Sequence, residues 1–163
     1  FHTLFWPALL DASDFKKPSN VFVHGFMTLN GKKMSKSKDN FLLIDDYLNL
    51  LNPDYMRYFL ATKLSNGIDD LDLDLLDFQK KVNTDLVGKF VNIASRSQGF
   101  LKEFNNILSN DLDEDLIDKF SNKKNEIFNH YLDRNYSKAL KEIMTLADKA
   151  NQYIDSNLSL IHI

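Results

Sequence analysis

Four lysines fall within seven residues of the stretch Gly31-Lys32-Lys33-Met34-Ser35-Lys36-Ser37-Lys38-Asp39-Asn40. Ammonium groups on a Gly-entered, serine-containing loop suit one task well. They can neutralise charge that builds on a polyphosphate during phosphoryl or nucleotidyl transfer. A plain solvated basic turn has a similar composition, so the exact order Lys33-Met34-Ser35-Lys36-Ser37 carries the signal. A second pair, Asn92 and Arg96, stands one helical turn apart at i and i+4, in a polar stripe with Asp85 and Lys89. An amide and a guanidinium fork together offer donors and an acceptor able to read an unstacked base edge, although any solvated helix face can show such a pair. The run Asp69-Asp70-Leu71-Asp72-Leu73-Asp74 invites a metal-site reading. It lacks the Gly and distal Glu of a calcium loop, and its alternation fits a strand face instead.

The elements that must position these residues follow from pattern. Leu4 to Leu10, mostly apolar around Pro7, predicts a buried helix with the proline in its first turn. Asn20 to Gly25 predicts a short buried strand ended by Gly. Phe26 to Leu29 followed by Asn30-Gly31 predicts a type I′ hairpin whose second arm leads out into Lys33 to Ser37. Asp45 or Asp46 is expected to cap a helix through Leu51, and Asn52-Pro53 to start the next, ending near Leu64. Leu71, Leu73 and Leu75 alternate with Asp72 and Asp74, as in a half-buried edge strand with an acidic outer face. A long helix is expected from about Asp77 to Leu108, then an acidic loop from Asn110 to Asp115. Helices over Leu116 to Tyr131 and Tyr136 to Ile154, joined by Asp133-Arg134-Asn135, complete an antiparallel bundle.

Composition narrows the classes. The chain has 163 residues, 44% of them apolar, enough for one domain or two small ones. It shows no apolar run near membrane-spanning length and no cleavable signal, so no membrane partner is expected. Without Cys there is no Cys-ligated metal in this segment, and a reducing compartment is consistent. The net charge of −3 argues against a general RNA-coating protein. The charge is uneven, however: eight Lys and Arg face six Asp up to Leu64, whereas Ser65 to Lys80 holds five Asp and one Lys. Any RNA contact is therefore expected to be local and selective.

Five stretches, in order, resemble the bacterial methionyl-tRNA synthetases. They are Phe1-His2-Thr3-Leu4-Phe5-Trp6-Pro7-Ala8-Leu9-Leu10, Lys17-Pro18-Ser19-Asn20-Val21-Phe22-Val23-His24-Gly25, the KMSKS pentapeptide Lys33 to Ser37, Ile68 to Leu73, and Val91-Asn92-Ile93-Ala94-Ser95-Arg96. KMSKS alone would indicate only a class I aminoacyl-tRNA synthetase. The resemblance implies the α/β end of a Rossmann-type catalytic domain over residues 1–25, then the KMSKS loop and a small β-α-α-β-α stem-contact fold over 26–80. It further implies a truncated α-helical anticodon-binding domain over 81–157. The last six residues, 158–163, depart from the family pattern and are expected to be a non-native tail. The chain is expected to be a fragment, mostly helical, with a first catalytic half and any zinc knuckle lying upstream.

The resemblance also assigns roles. The loop would close over ATP while the methionine carboxylate attacks the α-phosphate, with Lys36 as the main transition-state group and Lys33 in electrostatic support. Ser35 and Ser37 would bond phosphate or stabilise the turn, and Met34 would anchor the loop. Lys32 and Lys38 would contact tRNA phosphate or simply be solvated. Phe1 and His2 fall where the family lines its methionine pocket, with Trp6 packed behind it. His24 and Met27 lie where the family binds adenine, Met27 through its main chain. Asn92 and Arg96 would read the anticodon, chiefly its first base. Expected ligands are thus ATP with Mg²⁺, L-methionine and tRNA(Met), in the cytoplasm, with the oligomeric state open. The alternatives are another class I synthetase, such as the leucine or cysteine enzyme, or a non-catalytic RNA-binding module. The isolated segment is expected to be inactive.

Overall fold

The computed structural model describes residues 1–35, 40–103, 105, 107 and 111–161. Its centre is the predicted hairpin. Asn30 (φ 50°) and Gly31 (φ 71°) both take the left-handed backbone that a type I′ turn requires. They join β1 (Met27–Leu29) to β2 (Lys32–Lys33), with Leu29 opposite Lys32 and Thr28 opposite Lys33. On the other side of β1, β3 (Leu71–Leu73) runs parallel, Met27 beside Leu71 and Leu29 beside Leu73, giving the order β2-β1-β3. A parallel pair needs a crossover, and two helices supply it: α2 (Ile44–Leu50) and α3 (Pro53–Lys63). With α4 (Leu75–Lys81) after β3, the order is the expected β-α-α-β-α.

Caps set the helix starts. Asn52 accepts from the Asp54 amide at 2.8 Å ahead of Pro53, and Asp74 accepts from the Leu76 and Asp77 amides at 2.8 and 2.9 Å. Leu75 therefore belongs to a helix and not to the strand. Neither Asp45 nor Asp46 caps α2. The chain enters that helix through Leu43 without a side-chain cap, and both aspartates sit in its first turn, where the helix dipole favours them. The core beneath the sheet is Leu29, Tyr47, Phe59, Leu73, Phe78 and Val82. The Phe78 ring meets Phe59 and Tyr47 edge-on at 5.5 and 6.3 Å. Phe59 is fully buried, a contribution of about 1.5–3 kcal/mol from removal of its ring from water.

From α4 one rod continues through a π-helical segment, Val82–Val91, into α5 (Asn92–Glu103). The rod ends before the predicted Leu108, and Asn105 takes a left-handed φ of 53°. The single helix expected from Leu116 is two, α6 (Glu114–Ser121) and α7 (Lys124–Leu132). Asp113 caps α6, so Glu114 and Asp115 are helical and not loop. The break falls in the run Asn122 to Asn125, which has no apolar residue to anchor a continuous face. Arg134 (φ 59°) turns the chain into α8 (Tyr136–Ile161). No helix among the described residues is long and apolar enough to cross a membrane.

Two expectations of burial fail. Asn20 to Gly25 is extended but forms no strand, with Val21, Phe22 and Val23 exposed. Among the described residues no neighbouring strand takes its backbone groups; the Phe22 ring lies instead under the Arg134 guanidinium, 3.6 Å from its centroid. The helix α1 (Phe5–Ala12) forms around Pro7 as predicted, yet it buries no residue. The accessible surface, 12728 Å², exceeds the roughly 8,300 Å² of a compact monomer of this mass, so apolar side chains such as Phe5, Trp6 and Leu9 remain uncovered.

Candidate functional site

The lysine loop leaves the sheet through a pinched neck. Ser35 and Asn40 pair as an isolated antiparallel bridge, the Ser35 amide donating to the Asn40 carbonyl at 2.9 Å and the Asn40 amide returning at 3.2 Å. The Asn40 side chain adds bonds of 3.4 and 3.3 Å to the carbonyls of Lys32 and Lys33. Met34 packs against the core cluster, the anchoring role expected of it. Lys32 and Lys33 are exposed on β2, and the Lys33 ammonium stands 5.6 Å from the Phe26 ring centroid. Lys36, Ser37 and Lys38 lie outside the described residues.

The acidic run is structural, as its alternation suggested. The Phe26 amide donates to Asp70 at 2.7 Å. Asp72 accepts from the Thr28 hydroxyl at 2.6 Å and from the Gly31 amide at 2.8 Å, which fastens the hairpin turn to β3. The Thr28 hydrogen bond first, and the Gly31 amide second, hold the Asp72 carboxyl below the usual carboxylate range. Among the described residues, no group of three or more His, Asp or Glu side chains could hold a metal ion.

His24 and Met27 sit where the extended segment Asn20 to Gly25 leads into β1. The Nδ1–H of His24 donates to the Gly25 carbonyl at 2.7 Å, and a Cβ on Gly25 would stand 2.4 Å from the Asp69 carbonyl oxygen, so only Gly permits this approach. Met27 is the first residue of β1, aligned with Leu71. Phe1, His2 and Trp6 are all exposed, and Phe1 stacks on Phe5 at 5.5 Å.

Asn92 and Arg96 belong to a polar ladder between the rod and α8. Lys89 pairs with Asp148 at 2.7 Å, the Asn92 amide donates to Asn151 Oδ1 at 3.2 Å, and Arg96 pairs with Asp155. Each rung spans the same 59 residues, so α5 and α8 run parallel, whereas the contacts Lys123–Glu142 and Tyr131–Tyr136 make α7 and α8 antiparallel. Asn151 also donates to the Lys89 and Ala147 carbonyls at 3.0 and 2.9 Å. The hydrogen bond to Asp155 raises the Arg96 guanidinium pKa, and the same bond lowers the Asp155 carboxyl. Sequence reading missed Asp148, Asn151 and Asp155. Their spacing repeats that of Lys89, Asn92 and Arg96, which was the available signal.

Asp85 does not share the solvated stripe with them. It is 6% exposed and accepts from the Tyr58 hydroxyl at 2.6 Å and from Lys81 at 2.9 Å. Burial alone would raise its pKa, but the hydrogen bonds from Tyr58 and Lys81 outweigh that and hold it below the usual range. Burial, followed by the Asp85 hydrogen bond and charge, drives the Tyr58 hydroxyl far above its ordinary value, so it stays a donor.

The family profile described as "tRNA synthetases class I (M)" matches residues 1–98. A methionine–tRNA ligase of Vesicomyosocius okutanii subsp. Calyptogena okutanii is 52% identical over 159 residues, which cover 96% of this chain and 29% of that protein. The structure of Mycobacterium tuberculosis methionyl-tRNA synthetase in complex with methionyl-adenylate superposes with a TM-score of 0.81 at 25% identity, covering 98% of this chain and 32% of that one. A second crystal structure of the same mycobacterial enzyme, also bound by methionyl-adenylate, gives the same values. The chain thus spans less than a third of either relative. With more than half of its residues inside the family profile, the chain belongs to the class I tRNA synthetases, (M) group.

Proposed function

We propose that this chain is the segment of a methionine–tRNA ligase that carries the transition-state loop, the stem-contact fold and the first anticodon-binding helices. The observation that carries this reading is the 52% identity to such a ligase along nearly the whole chain. In the proposed reaction the methionine carboxylate attacks the α-phosphate of ATP, pyrophosphate leaves, and the acyl group passes to the terminal adenosine of tRNA(Met). Lys36, with Lys33 and Ser35 behind it, neutralises charge on the departing phosphates. The hairpin supports this role, because its I′ turn, the packing of Met34 on the core and the Ser35–Asn40 bridge hold the residues that flank Lys36 to Asp39. Mg²⁺ is read as riding on the nucleotide phosphates.

Residues 1–25 are read as the end of the catalytic Rossmann domain, 26–80 as the stem-contact fold and 81–157 as anticodon-binding helices, in a cytoplasmic enzyme. Phe1 and His2 line the methionine pocket in this reading, and His24 and Met27 the adenine side. Asn92 and Arg96 read the anticodon from the ladder, where α8 preorganises both side chains. The test is a graft. Residues 1–157 replace the corresponding segment of a full-length methionine–tRNA ligase, and methionine-dependent ATP–pyrophosphate exchange and tRNA charging are measured. Retained exchange and charging are expected; a folded graft that activates a different amino acid would overturn the reading.

A further inference from the structure

Between α3, the rod and the first half of α8 lies a cleft of about 650 Å³ whose wall carries five lysines and three aspartates. Three of the lysines are engaged: Lys63 with Asp77 at 2.5 Å, Lys81 with Asp85 at 2.9 Å, and Lys89 with Asp148 at 2.7 Å. That accounts for all three aspartates. Lys138 and Lys141, one turn apart on α8 and both exposed, have no such partner among the described residues. The carboxylate beside them, Glu142, is taken by Lys123 at 3.0 Å. The cleft therefore holds two positive charges in excess, in a concavity that concentrates their field.

Its position gives that excess a direction. Lys89 and Asp148 belong both to the cleft wall and to the first rung of the ladder. Along α8, Lys141 precedes Asp148 by two turns and Asp155 follows it by two turns, a rise of about 10 Å each way. A strand laid along α8 passes the surplus lysines and the Asn92–Arg96 pair in succession. We propose that this cleft seats the phosphodiester backbone of the RNA whose bases meet Asn92 and Arg96, with Lys138 and Lys141 as its phosphate contacts. This rests on the anticodon-reading role proposed above for Asn92 and Arg96. Such contacts set register and affinity and carry no sequence information themselves.

The test is fluorescence anisotropy of the whole 163-residue chain with two stem-loop RNAs, one with a CAU loop and one with the first loop base changed. Salt is varied from about 50 to 200 mM. The variants are Lys138→Ala/Lys141→Ala, its Arg/Arg counterpart, and Arg96→Gln. Loss of two phosphate contacts should flatten the slope of log K against log salt by roughly 1.4–1.8 and weaken both RNAs equally. The Arg/Arg variant should restore the slope, and Arg96→Gln should narrow the gap between the RNAs without changing it. An unchanged slope in the double Ala variant, with Arg96→Gln still narrowing the gap, would overturn this inference and leave the ladder reading intact. No RNA binding by the wild-type chain would overturn both. Saturable binding of inorganic pyrophosphate that the double Ala variant abolishes, with RNA binding unaltered, would make the cleft a small-anion site and also overturn it.

Discussion

Removing the buried Asp85 carboxylate should unlock α3 from the helical rod. Asp85 is 6% exposed, and its two partners come from different elements, Tyr58 from α3 and Lys81 from α4. Deleting one member of a fully buried ion pair costs about 3–5 kcal/mol. Lys81 is 41% exposed and can be rehydrated, so its share is smaller. The Tyr58 bond, a neutral donor on a charged buried acceptor at 2.6 Å, accounts for about 1.5–3 kcal/mol. Asp85→Ala should therefore lose about 2–4 kcal/mol, and Tyr58→Phe about 1.5–3 kcal/mol. Because both variants break the same bond, the double variant should cost little more than Asp85→Ala alone, with a coupling of about 0.5–3 kcal/mol. Urea unfolding measures this: the midpoint should fall while the slope stays unchanged. Losses that add within about 0.5 kcal/mol would show that Tyr58 and Asp85 do not act as one bridge.

Three further outcomes follow from the geometry. In a full-length ligase carrying this segment, Arg96→Ala should lower charging of the CAU-anticodon tRNA by about 1–3 kcal/mol of discrimination and leave pyrophosphate exchange intact; aminoacylation and exchange assays separate the two. Asp72 has a folded-state pKa below its ordinary 3.8, so its stabilisation is present above that value and lost as pH falls below it. Acid unfolding should accordingly be less steep in Asp72→Asn, as followed by circular dichroism. Gly25→Ala places a methyl group 2.4 Å from the Asp69 carbonyl oxygen, a backbone atom that cannot swing away, so it should depress the melting temperature more than Gly99→Ala, which meets nothing within 4 Å.

What was legible in the sequence was what short-range chemistry decides. Asn30-Gly31 forced the hairpin and Asn52-Pro53 started α3, both visible within a few residues, and Met34, the one apolar residue among the lysines, packs against the core. Asp85 was misread because local pattern cannot tell a solvated carboxylate from a buried one whose partner lies 27 residues away. The ladder escaped for a similar reason: its rungs are 59 residues apart, and only the matched spacing on two helices betrays them. Asn20 to Gly25 reads as a buried strand from its own composition, yet a strand exists only where another lies beside it, and here none does among the described residues.

The central claim, that the Lys33 to Ser37 loop stabilises the transition state of methionine activation, has one direct test. Lys36→Ala in a full-length ligase carrying this segment should slow methionine-dependent ATP–pyrophosphate exchange by roughly two to four orders of magnitude, the scale of a lost transition-state charge contact. Methionine affinity, measured in the same variant by equilibrium binding, should barely change, because the lysine acts on phosphate. Near-normal exchange would contradict the assignment of the loop.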